Sequence, residues 1–238
     1  MVKKVVAARP TAAAPPIASG AARTRLAPPA RLHVSVFNWK KGEAVHRIHQ
    51  DAYKGDEFNP GLLGNARFSP IRNAAGDPVP TLYGGSTFSC AAMETIFHDV
   101  PLAPGFKSYD KRKLDGQVYS VLVPMVDLLL ADLSSVALRK LGITRKQLID
   151  TEKDCYPATR IWAEAIHTQC PSVQGLYWVS RQDDQARAVI LFGDRIDATL
   201  LVQQGNCRSL PGDTDIYDDL LDLADKIGVL VVTGKSPG

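Results

Sequence analysis

Strand-like and helix-like stretches follow one another along this chain without a regular strand–helix–strand rhythm, and that irregularity limits the folds open to it. Residues 31–37 alternate as a strand or entry segment, and residues 45–53 read as a polar extended piece. Two loops follow, one marked by Asn59-Pro60-Gly61 and Gly64, the other rich in Gly, Asp and Pro over 73–80. A short strand at 81–83 meets Gly84-Gly85, read as a turn, and then a helix over 89–98 with Ser86 or Ser89 as its N-cap, ending before Pro101. Residues 117–123 are β-branched and read as a strand. Helices are expected at 135–141, with Gly142 as its stop, at 144–149, and from Pro157 to 169 with Ile161, Trp162, Ala165 and Ile166 as the apolar face. Strands at 175–180 and 188–192 flank a polar loop. An amphipathic helix at 213–226, with Asp218 and Asp219 on its wet face, precedes a last strand at 229–233. This order argues for an α+β fold over a doubly wound parallel sheet.

The chain has 238 residues, 45% of them hydrophobic, which is enough for one sizeable core. With no second linker and no internal repeat, it divides into an Ala/Pro-rich flexible arm over 1–30 and a single domain over 31–238. The apolar stretches of the arm are broken by Arg9, Pro10, Pro15 and Pro16, so it does not read as a secretory leader, and no window has the length of a membrane span. The formal net charge of +3 is too mild to imply nucleic-acid or membrane binding. Cys90, Cys155, Cys170 and Cys207 form no C-x-x-C pair, which argues against a zinc ribbon and fits free thiols in a cytoplasmic protein.

Four clusters can carry chemistry. Arg67, beside Phe68 and Pro70, offers a planar fork suited to phosphate oxygens; taken alone, the commoner reading is a surface arginine paired with a carboxylate. Tyr83, at a strand end before two glycines, is placed to stack on a flat ring, or is a core tyrosine with a satisfied hydroxyl. Those glycines lack the lysine and spacing of a phosphate loop. Glu94 lies in an apolar helix, either solvated or aimed into a pocket. Glu94 and His98 at i and i+4 have no third metal ligand nearby, so no metal is expected. Ser180 ends an aromatic strand and can hydrogen-bond a ligand or simply cap the strand; no G-x-S-x-G elbow makes it a nucleophile. Arg47, between His46 and His49, is a second candidate cation for an anionic ligand. His167 reads as a satisfied surface histidine, and Asp183 and Asp184 as solvated loop charges.

Taken in order, Arg67-Phe68, Leu82-Tyr83, Met93-Glu94-Thr95, Tyr177-Trp178-Val179-Ser180 and the apolar strand 188–192 resemble the RES family, named for its arginine, glutamate and serine. The resemblance spans roughly residues 32–192. Ala66 and Phe68 stand where many members have glycine and tryptophan, and the chain carries extra residues near 100–114. The resemblance implies a fold like the ADP-ribosyltransferase toxins: a split, mostly antiparallel sheet with flanking helices around an NAD cleft. It also implies a toxin that consumes NAD as substrate, by hydrolysis or phosphorolysis with inorganic phosphate, without a separate cofactor, and that an Xre-family antitoxin protein blocks. In that family Glu94 would stabilise the positive charge developing on the ribose. Arg67, with Arg47 second, would bind the diphosphate, Tyr83 would orient the nicotinamide or its ribose, and Ser180 would bind the nicotinamide side or position Glu94. The rivals are an ADP-ribosyltransferase acting on a protein, which in arginine-modifying relatives carries an acid two residues before the glutamate where this chain has Ala92, and a non-catalytic NAD-binding module.

Overall fold

The computed structural model describes residues 27–61 and 63–234. The expected arm over 1–30 falls almost wholly outside them. The elements in chain order are β1 (Val36–Trp39), β2 (Val45–Gln50), β3 (Thr81–Gly85), α1 (Phe88–Thr95), β4 (Lys107–Asp110), β5 (Gln117–Pro124) and β6 (Leu128–Asp132). They continue with α2 (Ser135–Leu141), α3 (Arg145–Leu148), α4 (Tyr156–Gln169), β7 (Gly175–Val179), β8 (Arg187–Phe192), β9 (Leu201–Ser209), α5 (Thr214–Lys226) and β10 (Val229–Val232).

Eight strands form one sheet in the order β1-β6-β7-β8-β3-β2-β5-β9, and β4 and β10 form a separate parallel pair. Within the large sheet every neighbouring pair is antiparallel except β6 with β7. The fold is therefore α+β with a mostly antiparallel sheet and flanking helices. The sheet is nearly divided in two. β2 pairs with β5 over six positions and β3 with β8 over five, yet β2 and β3 meet at the single pair His46↔Gly85. The two half-sheets diverge from that point and leave a gap between them.

Alternation along the strands sorts the core into two faces. Leu82, Leu130, Tyr177, Val189 and Leu191 pack together on one side. Ala131, Leu176, Trp178, Ile190 and Phe192 point to the other, where α2, α3 and α4 cover them with Leu138, Leu148, Trp162 and Ile166. β8, central in its half, reads as an almost unbroken apolar run because both of its faces are covered. A third group joins α1 and α5 over the other half-sheet, with Ala92, Phe97, Leu220 and Leu223 around Ile48 and Tyr119.

Several local expectations change. Gly84 and Gly85 do not turn the chain; both lie inside β3. A Cβ on Gly84 would sit 2.4 Å from the Val45 side chain, and one on Gly85 would sit 2.8 Å from Cys90 Sγ. The pair is there so that β2 and α1 can approach β3 closely. The N-cap of α1 is Thr87, whose hydroxyl accepts from Cys90 N at 3.0 Å, while the Ser86 hydroxyl accepts from Arg187 N. On α4 the buried positions are Tyr156, Thr159, Trp162, Ala163, Ile166 and His167; Ile161 is exposed. His167 is buried and not a surface residue. Its Nε2 lies 2.9 Å from Asp194, and burial pushes its pKa down. Asp218 and Asp219 are exposed, and Gly142 caps α2 in the left-handed conformation at φ 75°. None of the four cysteines forms a disulfide. Among the described residues no helix is long and apolar enough to cross a membrane.

Candidate active site

The gap between the half-sheets opens into a cleft of about 370 Å³. Helix α1 packs against β2, β3 and β8 and so straddles the seam. It delivers Glu94 from an otherwise buried turn, because Ala91, Ala92 and Met93 face the core. Arg67, Tyr83 and Glu94 all line the cleft, and Ser180 reaches it through Glu94.

Each of these side chains is held by its neighbours. Phe68, fully buried, packs edge-on against Trp178 with ring centroids 5.2 Å apart and anchors the loop that carries Arg67. The Phe68 N–H donates to Tyr83 Oη at 2.9 Å, and the Thr159 hydroxyl donates to the Arg67 carbonyl. The loop is thus tied to both β3 and α4. The Arg67 side chain is only 4% exposed, yet its Nε and Nη2 find no hydrogen-bond partner among the described residues. Its guanidinium carbon lies 5.5 Å from the centre of the Tyr156 ring. A buried cation without an anion beside it is costly unless something negative completes it.

Ser180 follows the last residue of β7 and is fully buried. Its hydroxyl donates to Glu94 Oε1 at 2.6 Å and accepts from Gln182 N at 3.0 Å and Asp183 N at 3.2 Å. Arg145 at the start of α3 clamps the same strand end, donating to the carbonyls of Val179 and Ser180 while its Nε pairs with Asp150. The carboxylate is thereby fixed by a hydroxyl, and among the described residues no cation pairs with it. Tyr83 is a neutral phenol; burial pushes its pKa up to about 12. Cys90, one turn before Glu94, is also pushed up to about 12, first by burial and then by the Glu94 and Asp183 charges, so it is not a nucleophile.

Arg47 departs from expectation. Alternation along β2 sends Ile48 into the cleft and Arg47 to the opposite face. There its Nη1 donates to the carbonyls of Gly55 at 2.5 Å and Glu57 at 2.7 Å, and burial lowers its pKa to about 10. It braces the loop after β2 and does not face the cleft. The cleft also contains residues that the sequence reading assigned no part: Tyr156, Lys153 and Asp99, with His98 considered only as a metal ligand. Among the described residues no group of three metal-binding side chains exists. A signal for Tyr156 was available in the Pro157 that opens its helix, but nothing local pointed the ring at Arg67.

A family model described as RES domain matches residues 44–211, well over half of the chain. The chain belongs to the RES family. This RES domain is also similar in fold to the crystal structure of the M. tuberculosis MbcT-MbcA toxin-antitoxin complex. That match has a TM-score of 0.48 and 15% identity, and covers 77% of this chain and 91% of that one. No protein of curated function matches the sequence.

Proposed function

We propose that this RES domain cleaves the nicotinamide–ribose bond of NAD and acts as a toxin held in check by an antitoxin of the Xre type. The observation that carries this reading is the pairing, in one cleft, of a fixed carboxylate on Glu94 with an uncompensated buried guanidinium on Arg67. A dinucleotide needs both: an anion-binding group for the diphosphate and a negative group for the ribose when it becomes cationic.

As the C1″–N bond breaks, its electron pair moves to the nicotinamide nitrogen and positive charge spreads over C1″ and the ring oxygen. A preset carboxylate favours that state over ground-state NAD, whose positive charge lies on the nicotinamide. Ser180 keeps Glu94 in one orientation, so little reorganisation is needed when the charge appears. Arg67 binds the diphosphate and fixes the distance from it to the reacting carbon. Tyr83, its hydroxyl occupied by the Phe68 N–H, offers its ring as a wall for the nicotinamide or its ribose. The acceptor is water or inorganic phosphate.

NAD loss by purified protein, with and without phosphate, tests this. Wild type should release nicotinamide together with ADP-ribose, or with its 1″-phosphate when phosphate is the acceptor. Glu94→Gln should lower turnover on the order of 100-fold or more. A folded wild type that consumes no NAD, or a Glu94→Gln protein with undiminished turnover, overturns the proposal. Transfer of the ADP-ribosyl group to a protein in place of free product would favour the protein-modifying alternative.

A further inference from the structure

Lys153, Asp99, His98 and Tyr156 form a hydrogen-bonded chain along the cleft. Lys153 Nζ pairs with Asp99 Oδ2 at 2.6 Å, Asp99 Oδ1 lies 2.8 Å from His98 Nδ1, and His98 Nε2 lies 3.1 Å from Tyr156 Oη. All four residues line the same cleft as Glu94. A carboxylate can only accept, so the His98 proton resides on Nδ1 and faces Asp99. That leaves the Nε2 lone pair as an acceptor, directed at an oxygen on the cleft wall, the hydroxyl of Tyr156. Asp99 is kept ionised by the Lys153 ammonium and the His98 ring, which hold its pKa below the usual carboxylate value. An imidazole held at Nδ1 by a carboxylate and bonded at Nε2 to a hydroxyl on the cleft wall is the arrangement of a general base that acts through that hydroxyl.

The reaction with water needs such a group. Glu94 must stay anionic opposite the developing cation and would lose that function if it took up a proton. Water brings an O–H proton that must go elsewhere, whereas monohydrogen phosphate attacks through an anionic oxygen and gives up none. We propose that His98, oriented by Asp99 and Lys153 and acting through the Tyr156 hydroxyl, is the general base that activates water. The acceptor oxygen forms its bond to C1″ as the pair of the C1″–N bond leaves with nicotinamide. Its proton passes to Tyr156 Oη as the Tyr156 hydroxyl proton passes to His98 Nε2, and the resulting imidazolium, facing Asp99, returns the proton to solvent. This inference rests on the NAD-cleaving reading above.

The test compares wild type, His98→Ala, His98→Gln and Glu94→Gln as full-length chains. NAD is supplied in buffer alone, with inorganic phosphate, and with sodium azide, and the products are separated. Loss of His98 should lower turnover with water on the order of 100-fold and largely spare the reaction with phosphate, whose anionic oxygen needs no base. Azide, an anion with no proton to give up, should restore cleavage in the His98 variants as ADP-ribosyl azide, and should not restore it in Glu94→Gln. In wild type given azide, D2O should raise the ratio of azide adduct to ADP-ribose, because only the water reaction moves a proton; this arm needs no variant. His98 variants that hydrolyse NAD at the wild-type rate, wild-type cleavage seen only when phosphate is present, no azide restoration in folded variants, or an unchanged product ratio in D2O would each overturn the assignment. If wild type cleaves NAD and the His98 variants match it in buffer alone, only this inference falls. If wild type cleaves none, the NAD reading falls and takes this one with it.

Discussion

Replacing Arg67 by methionine should make the protein more stable while removing its hold on a dinucleotide. Two guanidinium nitrogens, Nε and Nη2, are buried without partners, and each such donor costs about 1–3 kcal/mol. Against this stands the contact with the Tyr156 ring, worth about 2 kcal/mol in a desolvated setting. Methionine fills a similar volume with no polar atom, and buried charges replaced in this way gain about 1–4 kcal/mol. A net gain of about 2 kcal/mol is expected, which raises the melting midpoint by roughly 4–8 °C for a domain of this size. Urea unfolding of ligand-free protein measures the gain, with the slope unchanged to show that the unfolded state is the same. NAD should then raise the midpoint of wild type and leave that of the methionine variant unmoved. An Arg67→Met protein less stable than wild type would refute the reasoning, since the guanidinium would then be satisfied in the folded state.

Ser180→Ala removes a charge-assisted bond worth about 1.5–3 kcal/mol, so turnover of NAD should fall about 10- to 100-fold. In a Glu94→Gln background the same change should cost much less, and full additivity in that double-mutant cycle would show that the two residues act apart. Stability should fall as pH drops below 6.5. Burial holds His46, His49 and His167 below that ordinary value, so between it and their folded values the unfolded chain binds more protons. The contribution is fully present above about pH 6.5 and is lost as pH falls toward the folded values. Urea titrations between pH 5 and 7.5 should show it, and a flat profile would contradict it.

Helices were more legible than strands in the sequence. α2 starts and stops at the expected residues because Gly142 supplies its left-handed stop. β6, β9 and β4 went unread, each for its own reason. β6 is a leucine run without β-branched residues, β9 is a largely exposed edge strand interrupted by Gly205, and β4 is short and polar. Of the site, the residue types were readable and the pairings were not. Ser180 and Glu94 meet across 86 residues, and only the sheet order brings them together. Arg47 was misplaced because period-two alternation within β2 sends adjacent residues to opposite faces, and the sequence did not say which face was open. The His98–Asp99 dyad was adjacent in sequence, but its use depends on a lysine and a tyrosine from more than fifty positions away.

The position of β8 between β7 and β3 has a consequence for synthesis of the chain. Arg67, Tyr83, Glu94 and Ser180 have all been translated before β8 begins at Arg187, but β7 has no docking edge on β3 without it. A nascent polypeptide released at residue 186 would carry every one of those side chains and still fail to assemble the cleft. Emergence of this spacer strand from the ribosome therefore sets the earliest moment of activity. Two fragments divided in the loop before it should each be inert and regain function only on mixing.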